Sequence, residues 1–393
     1  MKKKSLISII IPVTRANLLD ICIQSLTNND LSNCEIIFHF NGISKSKRLI
    51  KKIKLKLEKK CNNLIIEFAP RYLRIYENWE RAISYHQGDW VMFLCEDDLI
   101  YFGAIQNLEN MIKKYKNFNC FFWNNNSCVY NHDDRILKVA KETYATKPKL
   151  KIFKSKDVLR RIFKDNGLHK VKRDLPHIPG SLIKSKIIKK TNNNFFFNEE
   201  PMWASVFQIL NSEKNYMRVP FVVTIIGELK NSNSIRQTQL SKGNKNKSEV
   251  KKFDKSFSMK FKYSSKIFTD IDYGMFIKFN RFIGFEIIMQ SYEKFKNFKQ
   301  YKFIVDKKKI LKDVYFEALK RNSESTIFSY FSELKILRKK IDIDLRLMYQ
   351  EFKILIIKRI YKFFFRKDIS LRYYRIFKNS DKLNIKTVLK NID

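Results

Sequence analysis

The first quarter of the chain is dominated by four short apolar runs. They cover residues 6–13, 35–40, 64–68 and 90–94, and their first apolar positions lie 26 to 30 residues apart, which is about the length of a strand, a crossover helix and the next strand. The runs are apolar nearly throughout instead of alternating with polar residues, which is typical of parallel strands covered on both faces. The pattern predicts an α/β fold with a mostly parallel sheet.

Between the runs, apolar residues recur with the period of a helix. Such repeats lie at 18–26, 49–57 and 102–115, and Asn17 is the predicted N-cap of the first helix. The lysines of 51–60 take the outer side of the second helix, as expected for a solvated surface. The sequence therefore predicts that helices connect and cover the strands.

The rest of the chain contains a compact block, a linker and a helical region. Residues 120–123 predict a fifth strand, and a block over 175–234 contains a strand-like stretch at 219–226. The Asn-, Ser- and Lys-rich residues 231–252 predict a loop or linker. Beyond it, 258–390 predicts helices with aromatic faces, so we expect a mainly helical C-terminal region.

The charge of the chain narrows the function classes without deciding between them. A net charge of +40 suits contact with nucleic acid or anionic lipid, and it also follows from a composition rich in Lys, Asn and Ile. Residues 241–393 carry 38 Lys and Arg against 17 Asp and Glu, whereas 1–240 carry 41 against 22. A hydrophobic content of 44% and an aromatic content of 14% exclude a disordered basic tail.

The cysteines and the apolar segments indicate the compartment. The six cysteines form no CxxC pair and no zinc-like doublet with the five histidines, so we expect reduced thiols. No secretory signal is apparent, and no stretch approaches the roughly 20 apolar residues of a membrane-spanning helix. The sequence predicts a cytoplasmic protein.

Three consecutive acids, Glu96, Asp97 and Asp98, follow the fourth apolar run and form what we call the acidic cluster. Like charges at the mouth of an apolar core repel each other and must be neutralised or solvated. In a parallel sheet, ligands bind at the carboxyl ends of the strands, and Mg²⁺ or Mn²⁺ is held by one or two carboxylates together with phosphate oxygens. The alternative is an acidic turn at the N-terminus of the next helix.

Polar residues also follow the other predicted strands. The first run ends in Pro12-Val-Thr14-Arg15, the second in Asn41-Gly42, and the third in Pro70-Arg71. Further along, Asn78 and the pair Gly88-Asp89 precede the fourth run and its acidic cluster. This ordered set resembles the family 2 glycosyltransferases, in which an Asn opens a helix, a Gly-Asp pair starts a strand and a DxD-type cluster ends it.

The resemblance covers roughly residues 5–235 and implies a GT-A fold, a nucleotide-sugar donor (a UDP-sugar is favoured) and an inverting transfer assisted by Mn²⁺ or Mg²⁺. It implies a glycosyltransferase domain at 1–235, with a nucleotide-sugar half at 5–125 and an acceptor half at 126–235, then a linker at 236–255 and a basic helical region at 256–393. The donor-binding residues implied are Pro12, Thr14, Arg15, Asn41, Arg71, Arg74, Asn78, Glu96 and Asp97, and the metal ligands implied are Asp97 and Asp98.

Two positions depart from the family pattern. Asn41 stands where the family commonly has an Asp, and it keeps a hydrogen-bond acceptor without the charge. The acidic cluster fits the DxD pattern in two registers, either as Glu96-x-Asp98 or with Cys95 in place of the first Asp of a Cys95-x-Asp97 motif. Both registers stay open at this stage.

An inverting transfer needs a base that takes the proton of the acceptor hydroxyl. Glu199 and Glu200 are the candidates, because the family places an acid ahead of a Trp-containing helix and Trp203 follows them. The alternative is that the two glutamates only begin a helix. His169 and His177 are further candidates, ranked below the glutamates because a lone His beside a Pro is more often structural.

The acceptor and the setting follow only from the resemblance and the basic end of the chain. The family implies a glycan or lipid-linked saccharide acceptor and bacterial surface polysaccharide synthesis. Residues 350–393 mix aromatics with cations, as an interfacial helix on an anionic membrane does, or as a helical subdomain with inward-facing aromatics does. The rival functions are a nucleic-acid-binding protein, for which no recognised motif is present, and an inactive glycosyltransferase-like binding protein.

Overall fold

The computed structural model describes residues 5–124, 126–130, 136–140, 149–165, 168, 171–228, 261–268, 280–301, 303, 305–307, 309–311 and 313–314. The strands are β1 Ile7–Val13, β2 Leu31–Phe40, β3 Cys61–Phe68, β4 Trp90–Phe93, β5 Leu99–Ile100, β6 Cys120–Phe122, β7 Asn126–Tyr130, β8 Ile136–Ala140, β9 Lys151–Lys154, β10 Ser181–Lys184, β11 Asn215–Arg218 and β12 Thr224–Glu228.

An eight-stranded sheet forms the centre of the molecule, with the order β3-β2-β1-β4-β10-β6-β11-β9. Strands β1 to β4 pair in parallel, and β10 runs antiparallel between β4 and β6. A smaller sheet has the order β5-β12-β7-β8. Its strand β5 directly follows the acidic cluster, so the two sheets meet at the carboxyl end of β4.

Helices cover both faces of the large sheet. They are α1 Leu19–Thr27, α2 Lys47–Leu57, α3 Ile75–Ser84, α4 Ala104–Lys114, α5 Ser155–Asp165, α6 Ser185–Lys189, α7 Pro201–Ser212, α8 Lys262–Ile267 and α9 Asn280–Lys294. One core lies under α1, α2 and α4 and contains Ile9, whereas the other lies under α3, α5, α7, α8 and α9 and contains Ile10. Burial on both faces explains why the strands are apolar nearly throughout.

A buried carboxylate ties the amino ends of these strands together. Glu35 of β2 is 1% exposed and accepts hydrogen bonds from the Ser8 hydroxyl and from the backbone N–H groups of Gln87 and Gly88, at 2.5 and 2.9 Å. Gly88 also donates to Ser8 Oγ at 2.9 Å. The turn before β4 is therefore fixed by one carboxyl oxygen, Glu35 Oε1, which accepts three hydrogen bonds.

The predicted α/β architecture with a GT-A-like, mostly parallel sheet is confirmed, and the four apolar runs are β1 to β4. The fifth predicted strand is β6. The stretch predicted as one strand at 219–226 is instead the connection between β11 and β12 together with the start of β12. In the described part of the C-terminal region the secondary structure is helical, as expected.

Two local predictions are wrong. Asn17 does not cap α1, because a 3-10 turn over Ala16–Leu18 leads directly into a helix that begins at Leu19. Phe102 does not join the buried face of the fourth helix, since α4 begins at Ala104 and Phe102 is 69% exposed. The period of the apolar residues predicts that a helix is present, but it does not predict the residue at which the helix begins or ends.

Several predictions fall on residues outside those described: the linker at 236–255, the membrane-binding segment at 350–393 and His169. None of the described helices has the length and apolar content to cross a membrane. The cysteines of the described part form no disulfide.

Candidate functional site

The acidic cluster lies at the carboxyl edge of the sheet, where β1 and β4 end side by side. Thr14 donates its hydroxyl to Glu96 Oε1 at 2.8 Å. Arg15 donates Nε to the same oxygen at 2.9 Å and Nη2 to Asp97 Oδ2 at 3.0 Å. The structure therefore brings together four of the predicted donor-site residues, contributed by two strands 82 positions apart in sequence.

Asp98 has a different role from its two neighbours. It is 1% exposed, and its carboxylate accepts the backbone N–H groups of Cys95 at 3.1 Å and of Gly227 at 2.9 Å, one on each oxygen. These bonds close the turn after β4 and attach it to β12. Asp98 thus fixes the position of the acidic cluster.

Gly227 packs directly against the backbone of Asp97. A Cβ atom at this position would lie 2.2 Å from the Asp97 carbonyl oxygen, far closer than two non-bonded atoms can approach. Sequence reasoning missed this residue, although a lone Gly in a strand-like stretch signals close approach of another backbone. The backbone of Gly227 therefore packs directly against the acidic cluster and leaves no room for a side chain.

Crowding and burial raise the pKa values of two of these carboxyls. Burial, then the neighbouring Asp98 and Glu96 carboxylates, raise the pKa of Asp97 to about 8 against the pull of Arg15. Burial raises the pKa of Asp98 to about 6, and its backbone hydrogen bonds limit the rise. Burial and crowding thus oppose simultaneous ionisation of Asp97 and Asp98, and a bound cation would relieve this.

Two observations decide which side chains of the acidic cluster could hold a divalent ion. They are the crowding of its carboxyl groups and the hydrogen bonds that already engage their oxygens. Among the described residues, no group of three or more His, Cys, Asp or Glu side chains forms a metal cage. Mg²⁺ needs only one or two carboxylates when substrate phosphates supply other ligands. Glu96 engages only Oε1 with Thr14 and Arg15, whereas Asp98 engages both oxygens. Within the described part of the chain, Glu96 thus suits such an ion better than Asp98 does.

The Cys95 thiol bears on the register of the DxD-like motif. Burial, followed by the Asp98 carboxylate, raises the pKa of Cys95 well above its ordinary value. A Cys95-x-Asp97 motif therefore has a neutral thiol in its first position and a single carboxylate in its last.

A second group of predicted residues lies in the loop 69–74 after β3, which we call the basic loop. The Asn41 side chain holds this loop from both ends of its amide, since Nδ2 donates to Leu73 O at 2.9 Å and Oδ1 accepts Leu73 N–H at 2.8 Å. The Asn41 backbone N–H donates to Val13 O at 2.8 Å. Asn41 thus connects the basic loop to the end of β1 and the acidic cluster.

The basic loop presents its charged residues to solvent. Arg71 and Arg74 are both exposed, and Arg74 is the N-cap residue of α3, its backbone N–H donating to Glu77 at 2.9 Å. The exposed Tyr72 between them was not among the predicted site residues, because exposure cannot be read from a single aromatic in a polar stretch.

Pro12 and Asn78 are buried instead of lining the surface of the edge. Pro12 lies within β1 opposite His39 of β2. Asn78 is inside the first turn of α3, which begins at Ile75, so the expectation that this Asn opens the helix is wrong. It bonds His39 Nδ1 at 2.6 Å, and burial lowers the pKa of His39. Any role of Asn78 at the donor would therefore act through β2.

The candidate base residues lie on another segment. Glu200 is the N-cap residue of α7, its N–H donates to Asn198 Oδ1 at 3.0 Å, and it is partly buried. Burial, then Glu199, raise the pKa of Glu200 to about 7. Within the described residues, no hydrogen bond or ion pair joins Glu199 or Glu200 to the acidic cluster. His177 lies in the connection before β10.

A family model matches the first part of the chain. Residues 8–180 match the family model described as Glycosyl transferase family 2, a span that contains the acidic cluster and the basic loop but ends before Glu199 and Gly227. A search of curated proteins finds no match.

Solved structures of Staphylococcus aureus TarS are similar at low identity. TarS 1-349 is 10% identical, with 86% of this chain and 88% of that chain covered and a TM-score of 0.43. The same fragment in complex with UDP-GlcNAc is 8% identical, with 77% and 94% covered and a TM-score of 0.41. These TM-scores are too low to establish a common fold by themselves. Through residues 8–180 the chain is similar to glycosyl transferase family 2, and this match supports a glycosyltransferase.

Proposed function

We propose that the chain transfers a sugar from a nucleotide-sugar donor, with a UDP-sugar favoured, to a saccharide or lipid-linked acceptor. The observation that supports this most directly is the crowded acidic cluster at the carboxyl edge of β1 and β4, where Thr14 and Arg15 donate to Glu96 and Arg15 also donates to Asp97. Ligands of parallel sheets bind at this edge, and several carboxyl groups held close together suit a phosphate-bridging cation better than a neutral ligand.

The donor would lie along the carboxyl edge. Thr14 would line the nucleoside pocket, Asn41 would hold the basic loop beside it, and Arg71 or Arg74 would approach the base or the diphosphate as hydrogen-bonding cations. The metal ligands we favour are Asp97 and Glu96, whereas Asp98 would first have to give up a backbone hydrogen bond. A bound Mn²⁺ or Mg²⁺ supplies a counter-charge for the departing nucleoside diphosphate.

Glu200 is the favoured base, with Glu199 as the neighbour that tunes it. A carboxylate with a pKa of about 7 is matched to proton transfer near neutral pH, where it is half deprotonated and still a useful acceptor. Attack by an acceptor hydroxyl that has been deprotonated in this way would invert the anomeric centre. This assignment is supported by the position of Glu200 before the Trp-containing helix α7.

The setting we propose is bacterial surface polysaccharide synthesis on the cytoplasmic side of the membrane. The aromatic and cationic residues of 350–393 support peripheral attachment to anionic lipid. Sedimentation with vesicles of phosphatidylglycerol is expected for the full chain and not for a chain that ends at residue 349. Equal sedimentation of the two would overturn the membrane role alone.

The transfer proposal is tested with a panel of UDP-sugars and glycan acceptors, assayed for released UDP with Mn²⁺ and with a chelator. We expect Mn²⁺-dependent release of UDP from one donor, strengthened by a matching acceptor and abolished in Asp97→Asn. Lys154→Ala, which changes an exposed residue of β9, is the control. Steeply salt-dependent binding of oligonucleotides without any sugar transfer would contradict the proposal and favour nucleic-acid binding.

A further inference from the structure

Tyr72 stands out among the residues that the donor assignment leaves unused. It is a large aromatic side chain that is 64% exposed, although exposure of that much apolar surface stabilises nothing in the free protein. It lies between the two exposed arginines of the basic loop. Its surroundings therefore combine an accessible ring with hydrogen-bonding cations.

The Tyr72 ring is seated against the end of β2. A Cβ atom at Gly42 would lie 2.9 Å from Tyr72 Cδ2 and 3.4 Å from Cε2, so one edge of the ring rests on a residue that must be Gly. Gly42 also has a φ of +70°, which favours glycine independently of the ring. With this contact in place, Tyr72 is still 64% exposed.

The loop that carries this ring is fixed on both sides of it. Ala69 N–H donates to Phe40 O at 2.8 Å, and the Leu73 backbone is held by both ends of the Asn41 amide. A ring held in place before binding loses little conformational freedom when a planar ligand stacks on it. This distinguishes Tyr72 from a loose surface aromatic.

The position of the ring relative to the acidic cluster suggests its ligand. Asn41 connects the two by its backbone bond to Val13 O, the residue before Thr14. One end of the carboxyl edge is therefore aromatic and cationic, and the other is acidic. A nucleotide sugar has the same polarity, with a planar base at one end and a metal-binding diphosphate toward the other.

We propose that Tyr72 is the stacking platform for the nucleobase of the donor, which orients the base toward β2 and β3 and the diphosphate toward the acidic cluster. The inference rests on the proposed nucleotide-sugar donor and adds a binding residue and a direction to it. A π-face accepts any base, so Tyr72 supplies affinity and orientation while polar neighbours select the base.

The test compares a ligand that has a base with one that lacks it. Calorimetric titrations of UDP and of pyrophosphate, both with Mn²⁺, are made on the wild type, Tyr72→Ala, Tyr72→Phe and Asp97→Asn, with Leu55→Ala as the exposed apolar control on α2. Tyr72→Ala is expected to weaken UDP at least about fivefold and to leave pyrophosphate unchanged. Tyr72→Phe keeps the ring and should bind UDP like the wild type, whereas Asp97→Asn should weaken both ligands.

The outcomes separate this inference from the donor proposal. Equal UDP affinity in Tyr72→Ala and the wild type overturns the stacking role while the donor proposal stands. Equal weakening of UDP and pyrophosphate in Tyr72→Ala also overturns it, because the residue would then hold the loop or the phosphates. A wild type that binds neither UDP nor any other nucleoside diphosphate overturns both proposals.

Discussion

Two buried acids of the same sheet have opposite surroundings. At the amino edge, Glu35 accepts three hydrogen bonds, from Ser8, Gln87 and Gly88. At the carboxyl edge, Asp97 is 7% exposed, faces two further carboxylates and has a pKa raised to about 8. The amino edge surrounds a single carboxyl group with three donors, whereas the carboxyl edge places three carboxyl groups side by side, which raises the pKa of Asp97 further than burial alone does.

The difference separates buried acids that stabilise the fold from buried acids that serve a function. A buried carboxylate that accepts several N–H and O–H groups retains its charge at small cost. A buried group of like charges lowers the stability of the folded state, so it is retained where it has another use. Glu35 is surrounded by such donors, whereas Asp97 faces neighbouring carboxyl groups.

The largest expected effect is that of Asp97→Asn. We expect it to lower sugar transfer at least about a hundredfold, because the carboxylate that would hold the cation facing the departing diphosphate is lost. The pKa of Asp97 is about 8 in the folded state and lower in the unfolded chain, so near neutral pH the unfolded chain ionises this group more readily and the free energy of unfolding falls. The metal-free variant should therefore have a higher free energy of unfolding than the wild type at neutral pH, by on the order of 1 kcal/mol.

Glu35→Gln is expected to have the opposite effects, a lower stability and an unchanged kcat. The amide cannot accept as strongly as the carboxylate and introduces an N–H₂ group among donors, so we expect the free energy of unfolding to fall by about 2 kcal/mol. The kcat of the folded fraction should stay at the wild-type value. Denaturant unfolding and initial rates measure the two quantities, and a lowered kcat with unchanged stability would break the comparison.

Gly227→Ala tests whether β12 positions the acidic cluster. The added methyl group overlaps the Asp97 carbonyl, so the cluster must shift, and we expect kcat/KM to fall about tenfold. Because Gly227 lies on β12, the matched control is Thr224→Ser on the same strand, which retains a hydroxyl for the Trp123 indole N–H. Wild-type kcat/KM in a folded Gly227→Ala would show that β12 does not support the site.

Glu200 is a further acid whose pKa is raised by burial. Its pKa of about 7 predicts that kcat, at saturating donor and Mn²⁺, halves near pH 7 and falls about tenfold for each further pH unit downward. Saturating donor and Mn²⁺ are used so that binding at the acidic cluster does not limit the rate and the profile reports the catalytic step. In Glu200→Gln, kcat should be low and independent of pH. A wild-type profile that is flat from pH 8 to 5 would exclude Glu200 as the base.

The sequence predicts the parallel strands, their order along the chain and the residues at their carboxyl ends, because these depend on local apolar runs. It does not predict the bonds between distant segments. Gly227 reaches Asp98 across 129 positions, and no local pattern reports such a contact. The same holds for Asn41, whose amide is used by Leu73, and for Tyr72, whose exposure depends on the fold of the basic loop.

The most direct test of the central claim is the Mn²⁺ dependence of UDP binding in the wild type and in Asp97→Asn. If the acidic cluster is the donor and metal site, Mn²⁺ tightens UDP binding to the wild type at least about tenfold, and Asp97→Asn loses this dependence while remaining folded. UDP affinity that is the same with Mn²⁺ and with chelator, and unchanged in Asp97→Asn, would contradict the assignment of the site.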